Sequence, residues 1–334
     1  MKKFFALLLA VAMLATLCAC GTQPADNNGD NNAPAETVKF GSAYVLSSLA
    51  ATDATEDKNG QGSYDLTAAV ITLDKDGKIV ACDLDTLQVK AAYTTEGKAV
   101  ANAEFKTKRE LGDAYNMVAY GQAKQEWYKQ ADAFEALIVG KTVADVRGLV
   151  VNETNKGTDE VVNAGCTIMI NEFVNAIEKA AQGAKDSDLN RDAAVKVTMA
   201  TEQTCTDATE DKAGSNKVST TIFAAALKDG KVALASSDCV EVEFGFDVAG
   251  KSTFDASKEI QSKREKGDSY GMVAYAGAAK EWYAQADAFD AACVGKTGTE
   301  IAGLKADDGK GVDSLKSAGC TIYVTGFVAA ASKI

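Results

Sequence analysis

Residues 108–142 and 263–297 align without a gap at an offset of 155, and 24 of the 35 paired positions are identical. The shared text includes KRE, GD, MVAY, EWY, QADAF and VGKT. Flanking signals recur too: TDATEDK at 52–58 and 206–212, and AGCTI at 164–168 and 318–322, both at an offset of 154. A near-constant offset across each half means a tandem duplication of one unit of roughly 140 residues, a usual size for a folding domain. The expectation is therefore two repeats, 39–181 and 195–334, joined by a polar linker at 182–194 and each able to fold alone. Duplication also supplies an internal filter: a residue found in only one copy is not essential to chemistry that both copies share.

The N-terminus points to export. Lys2 and Lys3 precede an apolar run from Phe4 to Leu17, too short to span a bilayer comfortably and laid out like a secretory signal. It ends in Leu17-Cys18-Ala19-Cys20, which resembles the lipobox of bacterial lipoproteins. That resemblance implies a signal peptide over 1–19 and lipidation of Cys20. Acyl chains anchor a protein stably when two or more are attached, at ~0.8 kcal/mol per buried CH₂. The following stretch to residue 38, rich in Asn, Asp and Ala with both prolines of the chain, reads as a flexible tether. The expected location is the extracytoplasmic face of the cell membrane.

Composition excludes several function classes. The net charge is −12, and removal of Lys2 and Lys3 with the signal makes it −14. Such a surface repels nucleic acid and anionic headgroups, so the membrane link is the lipid. The chain has no histidine. That removes Ser-His-Asp and Cys-His catalysis and His-ligated metal sites, and disfavours a hydrolase. Of the cysteines after Cys20, only Cys166 and Cys320 correspond between repeats, so no shared disulfide framework is expected.

Within a repeat, Leu66–Leu73, Asp76-Gly77 and Ile79–Leu84 read as a β-hairpin, repeated at 221–227, Asp229-Gly230 and 232–235. The segment from Asp113 to about Val139 carries a helical stripe through Tyr115, Trp127 and Phe134. The Gly140-Lys141-Thr142 that ends it is not a P-loop, because Glu135, or Asp290 in the second copy, stands where the first glycine must be. A short strand is expected at Cys166–Ile170, then a closing helix capped by Asn171 or Thr325. The fold class expected is α+β, with an antiparallel sheet, a long amphipathic helix and a C-terminal helix in each repeat.

The AGCT text carries the most chemistry. A period of two puts Cys166, Ile168 and Ile170 on one face and Thr167 and Met169 on the other. A small-Gly-small-Thr turn that exposes a hydroxyl before a helix resembles the flavinylation site of the FMN-binding domain family, whose usual text is Asp-x-x-Ser-Gly-Ala-Thr. The resemblance covers both repeats and is closest to two-domain flavin lipoproteins of extracellular electron transfer in Gram-positive bacteria. Gly165, Gly319, Thr167 and Thr321 match the motif. Ala164 or Ala318 replaces its serine, Cys166 or Cys320 its alanine, and Val161 or Leu315 its acid. The resemblance implies one FMN per repeat, esterified through its phosphate to Thr167 and Thr321 by a separate flavin transferase. It implies an electron carrier and not an enzyme, fed by a membrane dehydrogenase or quinol-linked flavoprotein and discharging to a soluble or extracellular acceptor. The alternative is a cofactor-free binding lipoprotein for a small molecule or wall polymer.

Further candidates lie on the predicted helix. Tyr115, Trp127 and Tyr128, with Tyr270, Trp282 and Tyr283, are candidates to stack on an isoalloxazine ring. An aromatic stripe at this spacing also suits a core. Gln130 and Gln285 are placed to hydrogen-bond the ring's carbonyl edge. Glu126 and Glu281 read as helix-surface charges. Lys108-Arg109 and Lys263-Arg264 are candidates to attract the FMN phosphate.

Overall fold

The structure, a computed structural model, describes residues 36–334. The expected signal peptide, the lipidation site Cys20 and the tether up to Ala35 lie outside the described residues. The fold is α+β with antiparallel sheets.

Alternating β-branched and aromatic residues make long strands. β1 (Thr37–Thr52), β2 (Gly60–Leu73) and β3 (Ile79–Tyr93) form a meander, with Tyr44 opposite Ala68 and Ala68 opposite Asp85. Two short strands, β4 (Val150–Val151) and β5 (Lys156–Gly157), pair with each other. Between the halves comes β6 (Lys185–Asn190), and the second half repeats the meander as β7 (Ala194–Thr206), β8 (Gly214–Lys228) and β9 (Lys231–Phe246). Both expected hairpins are present. In the second, Asp229 and Gly230 both have positive φ, at 52° and 73°, the requirement of a two-residue type I′ turn. The first turn is one residue longer, Lys75 being extra, and this shifts the repeat offset from 154 to 153 across it.

The first half carries helices α1 (Lys108–Leu111), α2 (Trp127–Ile138), α3 (Val143–Arg147), α4 (Asp159–Ala164) and α5 (Asn171–Gln182). The second half carries α6 (Lys263–Lys266), α7 (Met272–Ala276), α8 (Trp282–Cys293), α9 (Gly298–Ala302), α10 (Asp313–Ser317) and α11 (Thr325–Ala331). The long helix expected from Asp113 is thus two pieces, a 3₁₀ turn at Gly112–Tyr115 and then α2. Asn116 breaks it with a left-handed φ of 61°. The helical periodicity was real only over α2. Asn171 and Thr325 are not caps but the first residues of α5 and α11, which have no side-chain cap.

The polar stretch expected as a linker is instead structured. Within it β6 pairs antiparallel with β1, Lys39 opposite Asp186, and extends the first sheet to the order β3-β2-β1-β6. Its charged side chains point away from the sheet's buried faces, which is why its composition looked like a tether.

Period two explains the layering. Along β2, Leu66, Ala68 and Val70 face one core while Ala69 and Ile71 face another, so both faces of the strand are buried. Along β8, Ile222, Ala224 and Ala226 meet the β2 face, whereas Phe223 and Ala225 turn to α8 and α11. Each sheet therefore has its own helices on one side and the other sheet on the opposite side. Side chains bind the sheets across this seam: Tyr64 Oη lies 3.2 Å from Thr220 Oγ1, and Asn216 Nδ2 donates to the Ala92 carbonyl at 2.8 Å. Gly62 is needed there, because a Cβ would stand 2.0 Å from the Phe244 ring. At one end Tyr93 and Phe246 stack at 4.4 Å.

This seam revises the expectation of independently folding halves. Cutting between them would expose the apolar face of β2, and each fully buried Leu or Val costs about 1.5–3 kcal/mol when exposed. The full chain should melt in one transition. Fragments 37–184 and 192–334 should each bind a hydrophobic dye and melt without cooperativity until mixed; sharp independent melts would contradict the shared core.

Candidate functional site

The strand expected at Cys166–Ile170 is an extended loop with a single bridge, Met169 to Lys156, matched by Tyr323 to Lys310. The alternation of faces survives because the loop is extended: Cys166 and Ile170 are buried and Thr167 and Met169 exposed. The loop begins at Gly165 and Gly319, whose φ values of 111° and 100° strain any other residue. Each glycine reverses the chain so that the next cysteine enters the core, its N–H donating at 3.1 Å to the carbonyl of Val161 or Leu315. Val161 and Leu315 are themselves core, which accounts for the missing acid of the family motif. Cys166 and Cys320 are fully buried free thiols, pushed up to about 11 by burial, and act as packing rather than as ligands.

Thr167 and Thr321 are held identically. Gln130 Oε1 accepts from the backbone N–H of Thr167 at 2.8 Å and from its hydroxyl at 2.9 Å. Gln285 Oε1 does the same for Thr321 at 2.9 and 3.0 Å. The other end of each amide, Nε2, donates at 2.9 Å to the carbonyl of Gln125 or Lys280. Both glutamines are buried, and these bonds commit the oxygen and nitrogen of each amide to the protein. The expectation that they meet a flavin carbonyl edge is corrected: they position the threonines. Among the described residues no carboxylate or amine hydrogen-bonds either hydroxyl.

The tryptophans are core. Trp127 and Trp282 are 3 % exposed and pack on Phe173 at 5.6 Å and Phe327 at 5.5 Å. Their rings are not open for stacking, because α2 and α8 bury that stripe against α5 and α11. Tyr115 and Tyr270 are half-buried, each with a lysine against the ring: Lys108 Nζ is 5.2 Å from Tyr115 and 5.4 Å from Trp127, and Lys263 Nζ is 5.3 Å from Tyr270 and 5.6 Å from Trp282. Tyr128 and Tyr283 donate to Asp113 and Asp268 on the surface.

Arg109 and Arg264 are not free for phosphate either. Arg109 binds Asp132 at 2.6 Å, Glu135 at 2.5 Å and the Leu84 carbonyl. Arg264 binds Asp287 at 2.7 Å, Asp290 at 3.0 Å and the Ser237 carbonyl. These contacts lock α2 to β3 and α8 to β9, and they explain why an acid replaces the P-loop glycine. Glu126 and Glu281 are not surface charges. Each carboxylate accepts two successive backbone N–H groups, of Met117 and Val118 at 2.8 and 3.0 Å and of Met272 and Val273 at 2.9 and 3.0 Å.

The segments pinned in this way project tyrosines. Tyr120 is 85 % exposed and Tyr275 89 %. A cavity of about 660 Å³ in the second half is lined by Thr321, Tyr270, Tyr275, Tyr323, Lys263 and Lys310, with Trp282 behind. A cavity of about 340 Å³ occupies the corresponding place in the first half, with Lys108, Trp127, Met169 and Glu172 where the second has Lys263, Trp282, Tyr323 and Gly326. Thr167 and Tyr115 do not line this smaller cavity. Tyr275, Tyr323 and Lys310 were missed from sequence; the identical MVAY text was the available signal for Tyr275, since exposed residues have no packing reason to match.

No family model matches the chain, and no solved structure matches it. One curated protein similar to it is a chlorophenol reductase of Desulfitobacterium hafniense, 32 % identical over 108 residues, covering 28 % of this chain and 33 % of that protein. The chain thus spans about a third of the length of the relative it matches.

Two outcomes follow. Replacing Gln285 with Ala leaves the Thr321 loop and the Lys280 carbonyl unpaired, so urea unfolding should show a loss of about 1–3 kcal/mol. An unchanged midpoint would show that the amide is not holding the loop. Stability should also depend on pH through two buried acids, Asp85, which accepts from the Arg109 backbone N–H at 3.2 Å, and Asp290 of the Arg264 contact. Burial pushes Asp85 and Asp290 up to about 6 from an ordinary 3.8. The folded chain then holds protons that the unfolded chain has released, so this stabilisation is full below the unfolded value and is lost as pH rises through about 6. The urea midpoint should fall between about pH 4 and about pH 6.5, and fall less in Asp85→Asn.

Proposed function

We propose that the chain is an extracytoplasmic flavoprotein electron carrier, anchored by lipid at Cys20, with FMN esterified to Thr167 and Thr321. The observation that carries this reading is Thr321: an exposed hydroxyl, positioned by a buried glutamine, at a cavity walled by tyrosines and two lysines. A planar aromatic ring system suits the tyrosine faces, and an anionic phosphate suits Lys310, Lys263 being paired with Glu241 at 3.3 Å. The cavity is of the size that holds a small ligand. When bound, FMN supplies the redox chemistry; the protein supplies position and electrostatics. The partners on this reading are a flavin transferase, a membrane dehydrogenase or quinol-linked flavoprotein as donor, and a soluble or extracellular acceptor.

Intact mass tests it. The chain co-expressed with a flavin transferase should gain two FMN masses, Thr167→Ala should lose one and Thr321→Ala the other. Unchanged flavin content in the double variant would remove both threonines as attachment points. A colourless protein would favour the cofactor-free binding lipoprotein.

A further inference from the structure

The two cavities occupy corresponding places but differ in three ways that act together. At the floor, Gly326 in the second stands where the first has Glu172, and a Cβ at 326 would lie 2.6 Å from Thr221 Oγ1. At the mouth, Tyr323 is 68 % exposed where Met169 stands in the first. Tyr275 lines the second cavity as well, so two exposed rings share one opening, and Lys310 Nζ lies 5.6 Å from the Tyr323 ring. Charge is the third difference. The first cavity sets Asp65 and Glu172 against Lys108, a net of −1; the second sets Glu202 and Glu241 against Lys263 and Lys310, a net of zero.

We infer that the two sites are unequal, and that the second repeat alone clasps a planar aromatic ligand with an anionic tail, its ring held by Tyr275 and Tyr323 and its anion met by Lys310. Tyr275 and Tyr323 are positioning residues and not acid–base groups. The balanced charge leaves the tail unrepelled. In the first repeat the excess carboxylate opposes an anion. Any ligand at Thr167 is therefore held by its attachment and not by the cavity. This rests on the flavin reading in naming FMN as the probe.

The test is calorimetric titration of FMN into the unmodified full-length chain, made in a host without flavin transferase. One strong site is expected. Tyr275→Ala and Tyr323→Met should each weaken it roughly three- to tenfold, the worth of one aromatic stack. Tyr120→Ala should leave it unchanged, Glu172→Gly should strengthen a second site, and riboflavin, which lacks the phosphate, should bind more weakly than FMN. Two sites of equal strength, or a strong site that survives loss of both tyrosines, would overturn the inequality and leave the flavin reading standing. No FMN binding by any variant would overturn the inequality together with the reading it rests on.

Discussion

Everything in this molecule hangs on two strands that are buried on both faces. β2 and β8 pack against each other through Leu66, Val70, Ile222 and Ala224, and each turns its opposite face to its own helices. An exposed β2 or β8 would present a long apolar surface, so neither half can present the other side of its sheet to water. The helices are then fixed by what remains. α2 and α8 are clamped to β3 and β9 by Arg109 and Arg264, whose guanidinium groups satisfy backbone carbonyls and acids at once. That clamp sets Gln130 and Gln285 at one depth beneath the surface, and each glutamine sets its threonine.

The site is thus built around one exposed hydroxyl in each half. The hydroxyl faces solvent while its loop is bonded to a buried amide, and the glycine before it supplies the chain reversal. Around the second threonine, aromatic and cationic side chains come from three places: the Glu281-pinned α7 segment, the extended loop at Tyr323, and Lys310, which makes an isolated bridge to that loop. No single stretch of sequence contains the site. Burial separates two kinds of aromatic residue that look alike in the text, the tryptophans of the core and the tyrosines of the rim.

Much of this was legible in the sequence. The hairpins, the α+β class and the exposure of both threonines follow from turn chemistry and period-two patterning, which report local geometry. What was not legible depended on contacts between distant segments. Gln130 looked like a ligand group because a core seldom chooses glutamine, yet its partners, Gln125 and the Thr167 loop 37 residues away, satisfy it completely. Arg109 looked like a phosphate site because its acids, Asp132 and Glu135, lie a loop away on α2. Lys185–Asn190 looked like a linker because an edge strand may carry charge on its open side without cost. The tyrosine rim was invisible because Tyr275 and Tyr323 meet only through the fold.

We propose that a threonine hydroxyl bonded to a buried glutamine carries FMN as a phosphodiester. Phosphorus NMR of the flavin-loaded protein tests it most directly. A phosphate monoester has a second ionisation near pH 6, whereas a diester has none. Attached FMN should give phosphorus resonances whose shifts stay constant from about pH 5 to about pH 8. Resonances that titrate through about pH 6 would mean a free FMN phosphate and would contradict attachment at Thr167 and Thr321.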